Sequence, residues 1–324
     1  MKRRQFLITI PSIGLFPLAS YSQAGFPSNS IKIVCPYAAG GGPDIQLRQA
    51  APYLRETFKQ SVIIDNKVGA GGVLATQFTA QSAPDGYTIM LGSNIQLIQK
   101  IIKPEISISP LTDFAPISNM YSFPTVMMVS ADSPYRRVED VIAAAKANPG
   151  SMNYGSGGIG TSAHIAGATF VTLNNLKAIH IPLKGSVEIA TSLMRGDTQF
   201  AFPIAGTAVP LVKGGKVRAL AVTGKNRLAQ LPEVPTLNEI MKNELTIQES
   251  WFGIWAPIKT PRDRIDTLFQ GITSALNNNA LRTTFEDAGN LVTPSQNPQS
   301  FGTYMLSENK KWAEIIRLTG ISAD

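Results

Sequence analysis

The fold follows from residues 31–48, which read IKIVCPYAAGGGPDIQLR. A short run rich in β-branched residues, typical of a strand, is followed by a glycine-rich loop and the start of a helical pattern. Gly40, Gly41 and Gly42 let the backbone turn with its N–H groups exposed, and Pro43 suits the first position of a helix. Because a helix N-terminus attracts anions, this loop is either a binding site for a negatively charged group or a tight connection without a ligand.

A second strand, glycine-rich loop and helix follow the same order at residues 152–173. Elsewhere, short β-branched runs alternate with helical patterns, which is typical of βαβ units and parallel sheets. Of the 324 residues, the 300 that follow residue 24 are enough for two domains of ordinary size. We therefore predict an α/β fold with two lobes, each a mainly parallel sheet flanked by helices and each carrying one such loop.

The domain boundaries follow from breaks in this pattern. The apolar run Thr125 to Val129 is followed by Ser133-Pro134 and a new helical pattern, so the chain is expected to cross into the second lobe there. The last third is mostly helical and is expected to return to the first lobe. We predict lobe I at residues 25–125 and 226–324, and lobe II at residues 126–225.

The first 24 residues have the pattern of a signal peptide. Lys2, Arg3 and Arg4 precede the apolar run Phe6 to Ala19, and small residues around position 24 suit a cleavage site. This run is shorter than the roughly 20 apolar residues that a membrane-spanning helix needs. We therefore predict a cleaved signal peptide at residues 1–24 and a periplasmic protein, exported by the Sec route or, since two arginines are adjacent, by the twin-arginine route.

Composition excludes several classes of function. The formal net charge of +7 includes the three basic residues at positions 2–4, and their loss leaves +4, too small an excess to indicate nucleic-acid binding. Cys35 is the only cysteine and is expected to be a buried, unreactive thiol at a strand end. Two histidines and no close acidic cluster offer little for a transition-metal site, so we predict no metal and no cofactor.

The second loop lacks what a nucleotide site would need. Gly155, Gly157 and Gly160 match G-x-G-x-x-G, but the next predicted strand, residues 178–182, ends without the acidic residue of a dinucleotide fold. A P-loop would need a lysine at position 161, where this chain has threonine. We therefore do not expect a nucleotide ligand.

A hydrolase is the other catalytic possibility, because Ser156, Ser162 and His164 lie close together in the sequence. A nucleophile elbow needs G-x-S-x-G, and the run Gly160 to His164 fails at its last position. We interpret His164 as a neutral hydrogen-bonding group at the mouth of a site or as a structural cap. We predict that the protein is not an enzyme.

Two loops of this kind predict a ligand with negative charge at one or both ends. A helix N-terminus stabilises an anion by about 0.3–1 kcal/mol, whereas micromolar affinity needs about 8 kcal/mol. Several direct backbone and hydroxyl hydrogen bonds must supply the difference, and neutral donors of this kind would hold a carboxylate.

A series of motifs spans nearly the whole mature chain. The motifs are Pro36 to Gly42 with Asp44, Asp65 to Lys67 ahead of Gly69 to Gly72, Pro84 to Thr88, Asp113 to Pro116, Asn153 to Ser156 with His164, Arg218 to Thr223, Leu231 to Thr236, and Trp251 with Gly253 and Ala256-Pro257. In this order and at these spacings, the sequence resembles the solute-binding proteins of tripartite tricarboxylate transporters, the TctC or Bug (Bordetella uptake gene) family.

The resemblance implies a two-lobed periplasmic binding protein of type II that closes like a flytrap on a small organic carboxylate. Such a protein passes its solute to the permease subunits of a membrane transporter, and it is expected to be a monomer without a cofactor or a nucleic-acid partner. A periplasmic solute sensor for a two-component system, without a transport role, is the alternative.

In similar proteins the two loops hold the ligand carboxylate, often through ordered water. Carried over to this chain, the predicted ligand-binding residues are Tyr37, Ala38, Ala39, Gly40, Gly41 and Asp44 in the first loop, Ser93 and Asn94 after the third strand, and Ser156, Gly157, Gly160, Thr161, Ser162 and His164 in the second loop. Asp44 either orients water or caps its helix.

Two positions depart from the family pattern. Pro203-Ile204 stands where an Asp-Asn pair is frequent, and Leu183 stands where a tyrosine commonly precedes Lys-Gly. Leu183 and Pro203 are therefore predicted to line the second-lobe wall and to make it more apolar. Loss of the acid argues against an amino-acid ligand, whose ammonium would need a partner, and favours an aromatic or aliphatic carboxylate.

Overall fold

The strand, glycine-rich loop and helix at residues 31–48 form as predicted in the computed structural model, which describes residues 25–183 and 186–322. The predicted signal peptide lies outside these residues. The first half of the chain contains β1 (Ile31–Cys35), α1 (Gly42–Phe58), β2 (Val62–Asn66), α2 (Val73–Ala80), β3 (Thr88–Ser93), α3 (Asn94–Ile102), β4 (Phe114–Pro124), β5 (Val126–Ser130), α4 (Val138–Ala147), β6 (Met152–Ser156) and α5 (Ser162–Leu173). Cys35, at the end of β1, is buried and free, as expected.

The second half of the chain is richer in helices. It contains β7 (Ala178–Pro182), α6 (Ser186–Arg195), β8 (Phe200–Ala201), α7 (Ala205–Lys213), β9 (Val217–Val222), α8 (Leu237–Met241), β10 (Glu249–Pro257), α9 (Arg262–Leu276), α10 (Asn279–Asp287), β11 (Leu291–Val292) and α11 (Pro298–Thr319). None of the helices within the described ranges is long and apolar enough to cross a membrane.

The strands form two sheets. The first has the order β11-β4-β10-β3-β1-β2 and draws its strands from residues 31–124 and 249–292, and the second has the order β7-β6-β8-β5-β9 and draws its strands from residues 126–222. The pairs β1 with β2, β1 with β3, β6 with β7 and β6 with β8 are parallel. The two-lobed α/β fold is therefore confirmed, while the predicted residue boundaries of the lobes remain a proposal.

The sheets are mixed rather than mainly parallel as predicted, because β11 pairs antiparallel with β4 and each sheet contains an antiparallel strand between parallel ones. β10 is antiparallel to both β3 and β4, and β5 is antiparallel to both β8 and β9. Both inserted strands come directly after a crossing between the lobes. The parallel strands end at the side that faces the other lobe, so a strand that enters from that side must run in the opposite direction.

Two segments that cross between the lobes are hydrogen-bonded to each other. The backbone N–H of Thr125 donates to Oγ1 of Thr223 at 2.9 Å, and the backbone N–H of Thr223 donates to the carbonyl of Thr125 at 2.9 Å. The Thr223 hydroxyl donates in turn to the carbonyl of Gln248 at 2.6 Å. Both threonines are almost completely buried, so this network holds the two crossings side by side.

A small apolar cluster joins helices of the two lobes. Ile98 of α3, Ile165 of α5 and Trp312 of α11 pack together with Ile315 and Ile316. The helix that follows the second glycine-rich loop is therefore anchored to helices that cover the first sheet. Burial of these large side chains contributes to the position of α5 through the hydrophobic effect.

Substitution of Thr223 tests the crossing network. Thr223→Val keeps the shape of the side chain but leaves the buried N–H of Thr125 without its acceptor. We expect the free energy of unfolding in urea to fall by about 1–3 kcal/mol. The matched variant Thr303→Val, on the exposed side of α11, should change it by less than about 0.5 kcal/mol. Equal stabilities of the two variants would contradict the role of the network.

Candidate functional site

One cleft between the lobes is lined by residues of both glycine-rich loops, with Tyr37 as the contribution of the first. It has a volume of about 420 Å³, within the range of small-molecule sites. The predicted residues that line it are Tyr37 and Asn94 from the first lobe and Gly157, Gly160, Thr161, Ser162 and Pro203 from the second. The structure thus places residues that lie more than a hundred positions apart in the sequence around one cavity.

A larger groove lies elsewhere, beside the edge strand β9, and receives neither glycine-rich loop. Its volume is about 590 Å³, and Arg136, Arg137 and Arg218 line it. The guanidinium of Arg218 donates three of its five N–H groups to the backbone carbonyls of Ala131, Ser133 and Tyr135, so it holds that loop in place. The interlobe cleft is therefore the candidate functional site.

Asp44 holds the first loop from within. Its Oδ2 accepts hydrogen bonds from the backbone N–H of Gly40 at 2.8 Å and from Nε of Arg48 at 2.9 Å. Its Oδ1 accepts from Nδ2 of Asn66 at 2.9 Å, and the same amide nitrogen donates to the carbonyl of Tyr37 at 2.9 Å. Since Asp44 is buried, these contacts favour a role in capping the loop over a role in orienting water.

The hydrogen bonds to Asp44 also determine its charge. Burial alone would raise the pKa of this carboxyl, but the hydrogen bonds from Arg48, Gly40 and Asn66 outweigh burial and lower the pKa from 3.8 to about 2. The carboxylate is therefore ionised, and the guanidinium of Arg48 balances its charge. The loop presents N–H donors to the cleft rather than negative charge.

The rest of the first loop leaves donors unused. Ala38, Ala39 and Gly40 are exposed, and the backbone N–H groups of Ala38 and Ala39 have no acceptor among the described residues. The N–H of Gly41 donates to the carbonyl of Ala38 at 3.0 Å, which closes the turn before α1. Two backbone donors are thus available to a ligand at the N-terminus of a helix.

The start of α3 contributes a buried donor to the cleft. Ser93 caps this helix, accepts a hydrogen bond from the backbone N–H of Ile95 at 3.2 Å, and bonds to the Tyr37 hydroxyl at 3.0 Å. Asn94, the next residue, is 1% exposed, and its Nδ2 has no hydrogen-bond partner among the residues that the structure describes. An unpaired buried amide donor is costly, so this atom at the cleft wall calls for an acceptor on the ligand or on a water molecule.

The second loop is closed by its own side chains. The Thr161 hydroxyl donates to the carbonyl of Gly158 at 2.8 Å and accepts the backbone N–H of His164, which caps α5. The Ser156 hydroxyl accepts the N–H of Gly158 at 3.1 Å. The backbone N–H groups of Gly157 and Ile159 have no acceptor within the described part of the chain. This loop therefore also offers free donors at a helix N-terminus.

His164 lies beneath the second loop in a stack of rings. Its Nδ1 accepts the backbone N–H of Gly160 at 3.1 Å, so a neutral ring carries its proton on Nε2. The His164 ring stacks on His180 with centroids 3.9 Å apart, and Tyr154 stacks on His180 at 5.0 Å. Burial, with a smaller contribution from His180, lowers the pKa of His164 to about 4. The structure therefore places His164 as a neutral support of the loop.

The hydroxyls considered for hydrolysis are already engaged. Ser156 is fully buried and lies 2.6 Å from Nε2 of His180 rather than beside His164. The Ser162 hydroxyl lies 2.5 Å from that of Ser250, which belongs to β10 of the first sheet. This contact joins the two lobes across the cleft. Within the described residues, no group of three His, Cys, Asp or Glu side chains could hold a metal ion.

The apolar part of the cleft was mostly missed by the sequence analysis. Its apolar lining residues beyond those predicted are Ile95, Phe123, Ile159, Ala163, Ile189, Ile204 and Phe252, and Gly71, Gln99 and Ser250 complete the lining. Ser250 and Phe252 alternate along β10, a period-two signal that places both on one face. Leu183 lies outside the lining and donates its N–H to the carbonyl of Ser156 at 2.8 Å.

Comparisons with known proteins agree with the fold. The family model described as "Tripartite tricarboxylate transporter family receptor" matches residues 46–321, a range that begins just after the first glycine-rich loop. A Cupriavidus necator protein described as the UPF0065 protein in the gbd 5′ region is 34% identical, over 85% of this chain and 85% of that protein. A solved R. palustris protein with adipate has a TM-score of 0.80 at 27% identity, covering 92% of this chain and 99% of that chain. Periplasmic binding protein BugD has a TM-score of 0.77 at 27% identity, with the same coverage.

The Asp44 network predicts a specific pH dependence of stability. Asp44→Asn keeps a single acceptor oxygen, so it can no longer accept from Gly40 and Arg48 at one oxygen and from Asn66 at the other. We therefore expect its free energy of unfolding in urea to be about 1–3 kcal/mol lower at neutral pH. Because the folded-state pKa is depressed, the contribution of Asp44 is complete above about pH 4 and is lost as the pH falls towards 2. The difference between the two proteins should shrink over that range.

The matched control is Asp287→Asn, at an exposed position at the end of α10. Its stability should differ from that of the unmodified protein by less than about 0.5 kcal/mol. A difference for Asp44→Asn that does not change with pH would contradict an ionised, hydrogen-bonded carboxylate.

Proposed function

Since the chain belongs to the tripartite tricarboxylate transporter receptor (TctC) family, as the sequence motifs indicated, we propose that it captures a small organic carboxylate in the interlobe cleft. The protein then delivers this solute to the permease subunits of a tripartite tricarboxylate-type transporter. The predicted signal peptide at residues 1–24 would place this activity in the periplasm. No chemical change of the solute is part of the proposal.

The observation that carries the proposal is the convergence of unpaired N–H donors on one cavity. The first lobe supplies the buried amide of Asn94, and the second supplies the backbone N–H groups of Gly157 and Ile159. The free backbone N–H groups of Ala38 and Ala39 lie outside the cleft lining, directly after Tyr37, which lines it. These groups donate and do not accept, so they suit an anion. The two oxygen atoms of a carboxylate can together accept about four such bonds.

Helix orientation supports the same ligand. α1 and α5 begin at the two loops, and the positive end of each helix dipole therefore lies at a loop that offers free N–H groups. Asp44, the acidic residue nearest to the first loop, is paired with Arg48 and does not add negative charge to the cleft. The helix ends thus favour an anion at this site, while none of the described lining residues is cationic.

The side chains that a hydrolase would use support a binding role instead. Ser156 is buried, Ser162 is bonded to Ser250, and His164 accepts a backbone N–H through the nitrogen that would act as a base. The adipate recorded with the R. palustris relative is a carboxylate, which agrees with the proposed ligand class.

A ligand screen tests the proposed function. The purified protein is mixed with mono-, di- and tricarboxylates, sugars and peptides, and its thermal unfolding midpoint is followed. A ligand present at about 100 times its Kd stabilises the folded state by about 2.7 kcal/mol, so at least one carboxylate should raise the midpoint clearly. Tight binding of a sugar or a peptide, with no response to any carboxylate, would refute the proposal.

The Asn94 amide tests the site itself. Asn94→Leu keeps the approximate size of the side chain but removes the donor, and hydrogen bonds to charged groups contribute about 1.5–3 kcal/mol. We expect the Kd of the best carboxylate, measured by calorimetry, to rise about tenfold to a hundredfold. The matched variant Asn277→Leu, at an exposed position after α9, should bind as the unmodified protein does. An unchanged Kd in Asn94→Leu would exclude this amide from the site.

A further inference from the structure

The described lining of the cleft carries no formal charge. None of the described residues that line it is Asp, Glu, Lys or Arg. Neutral N–H groups can hold one carboxylate, but each further carboxylate would lose its hydration without an opposite charge nearby. An ammonium group would meet no acidic partner among these residues. The charge inventory of the described lining therefore suits a ligand with a single negative group.

Few polar side chains of the cleft remain available to a ligand. Ser162 and Ser250 are hydrogen-bonded to each other, and the Thr161 hydroxyl is bonded within its own loop. Asn94 keeps an unpaired buried amide donor among the described residues, and the amide side chain of Gln99 also lines the cleft. Together with the loop N–H groups, they suffice for the two oxygens of one carboxylate. They leave little to bind a second polar group.

The remaining wall is aromatic on one side and aliphatic on the other. The rings of Phe123 and Phe252 stack with centroids 5.7 Å apart and an interplanar angle of 22°, and Tyr37 meets Phe252 edge-on at 5.4 Å. Pro203 and Ile204 add apolar surface from the second lobe. A flat ring between these surfaces would bury its apolar area and extend the aromatic cluster.

From these observations, and resting on the proposed function, we infer that the cleft selects an aromatic monocarboxylate. The carboxylate is held by the loop N–H groups and the Asn94 amide. The ring lies against Phe123 and Phe252 of the first lobe, with Pro203 and Ile204 covering it from the second. Dicarboxylates, tricarboxylates and amino acids are disfavoured because their further charges find no partner in the described lining.

Calorimetric titration with a defined panel tests this inference. The probes are benzoate, cyclohexanecarboxylate, succinate, adipate, citrate and glutamate. We expect benzoate to bind at least about tenfold more tightly than succinate, adipate, citrate or glutamate, since an unpaired charge is costly to desolvate. Benzoate should also bind more tightly than cyclohexanecarboxylate, which has a similar size but no aromatic ring.

The panel separates the inference from the function on which it rests. If adipate, citrate or glutamate binds as tightly as benzoate, the inference of an aromatic monocarboxylate ligand is refuted. The proposed function as a carboxylate receptor is then retained. Failure of every carboxylate to bind overturns both.

Ile204→Asn tests the apolar wall without removing the helix that follows it. Ile204 is the N-cap of α7, has an extended backbone and makes no capping hydrogen bond, and asparagine is among the preferred N-cap residues. We expect the thermal midpoint to be maintained while the Kd for benzoate rises about tenfold, because a polar group replaces apolar contact surface. Ile179→Asn, at an exposed position of β7 outside the cleft lining, is the matched control and should bind benzoate normally. A folded Ile204→Asn protein with unchanged benzoate affinity would contradict the inference.

Phe123→Leu distinguishes an aromatic surface from one that is only apolar. Leucine fills much of the space of the ring but cannot stack. The affinity for benzoate should therefore fall by a larger factor than the affinity for cyclohexanecarboxylate. Equal losses for the two ligands would overturn the aromatic part of the inference.

Discussion

The pair of interlobe crossings held together at Thr125 and Thr223 is the constraint on which the rest of the structure depends. The parallel strands of each sheet end at the side that faces the other lobe. A strand that begins at that side, as β5 and β10 do, therefore runs antiparallel to its neighbours. The ends of the parallel strands then face each other. Since the glycine-rich loops follow β1 and β6, the same constraint brings both loops to one cleft.

Side chains on the protein side of each loop hydrogen-bond to it and fix its conformation. Some backbone N–H groups of each loop remain free to donate to a ligand. Asp44 and Asn66 hold the first loop, while Ser156, Thr161 and His164 hold the second. A loop fixed in this way loses little conformational entropy when a ligand binds, which improves affinity without additional contacts. The buried charge of Asp44 and the neutral ring of His164 are consistent with this supporting role, because neither presents a titrating group to the ligand at neutral pH.

Under the proposed function, one part of the cleft binds the carboxylate and another part determines selectivity for the rest of the ligand. Backbone N–H groups at two helix ends can hold a carboxylate of almost any acid, because they contact only its oxygens. The described side chains around the remainder of the ligand are neutral and largely apolar, with the stacked pair Phe123 and Phe252 as the largest surface. Under the proposed function, ligands differ in affinity through the part of the molecule beyond the carboxylate. Desolvation of that part and its contact with the aromatic rings decide the affinity, rather than charge pairing.

The sequence by itself determined the units of this protein: strands, glycine-rich loops and helix starts, the family, and the neutral character of the two loops. These features depend on neighbours within a few residues, where periodicity, glycine freedom and capping act. Only the tertiary structure decided that Ser156 meets His180 rather than His164, that Asp44 is enclosed by Arg48 and Asn66, and that Phe123 and Phe252 line the cleft with Ile204. Such contacts join residues that are distant in the chain, and they form only when two sheets pack and the crossings between them set which strand ends meet.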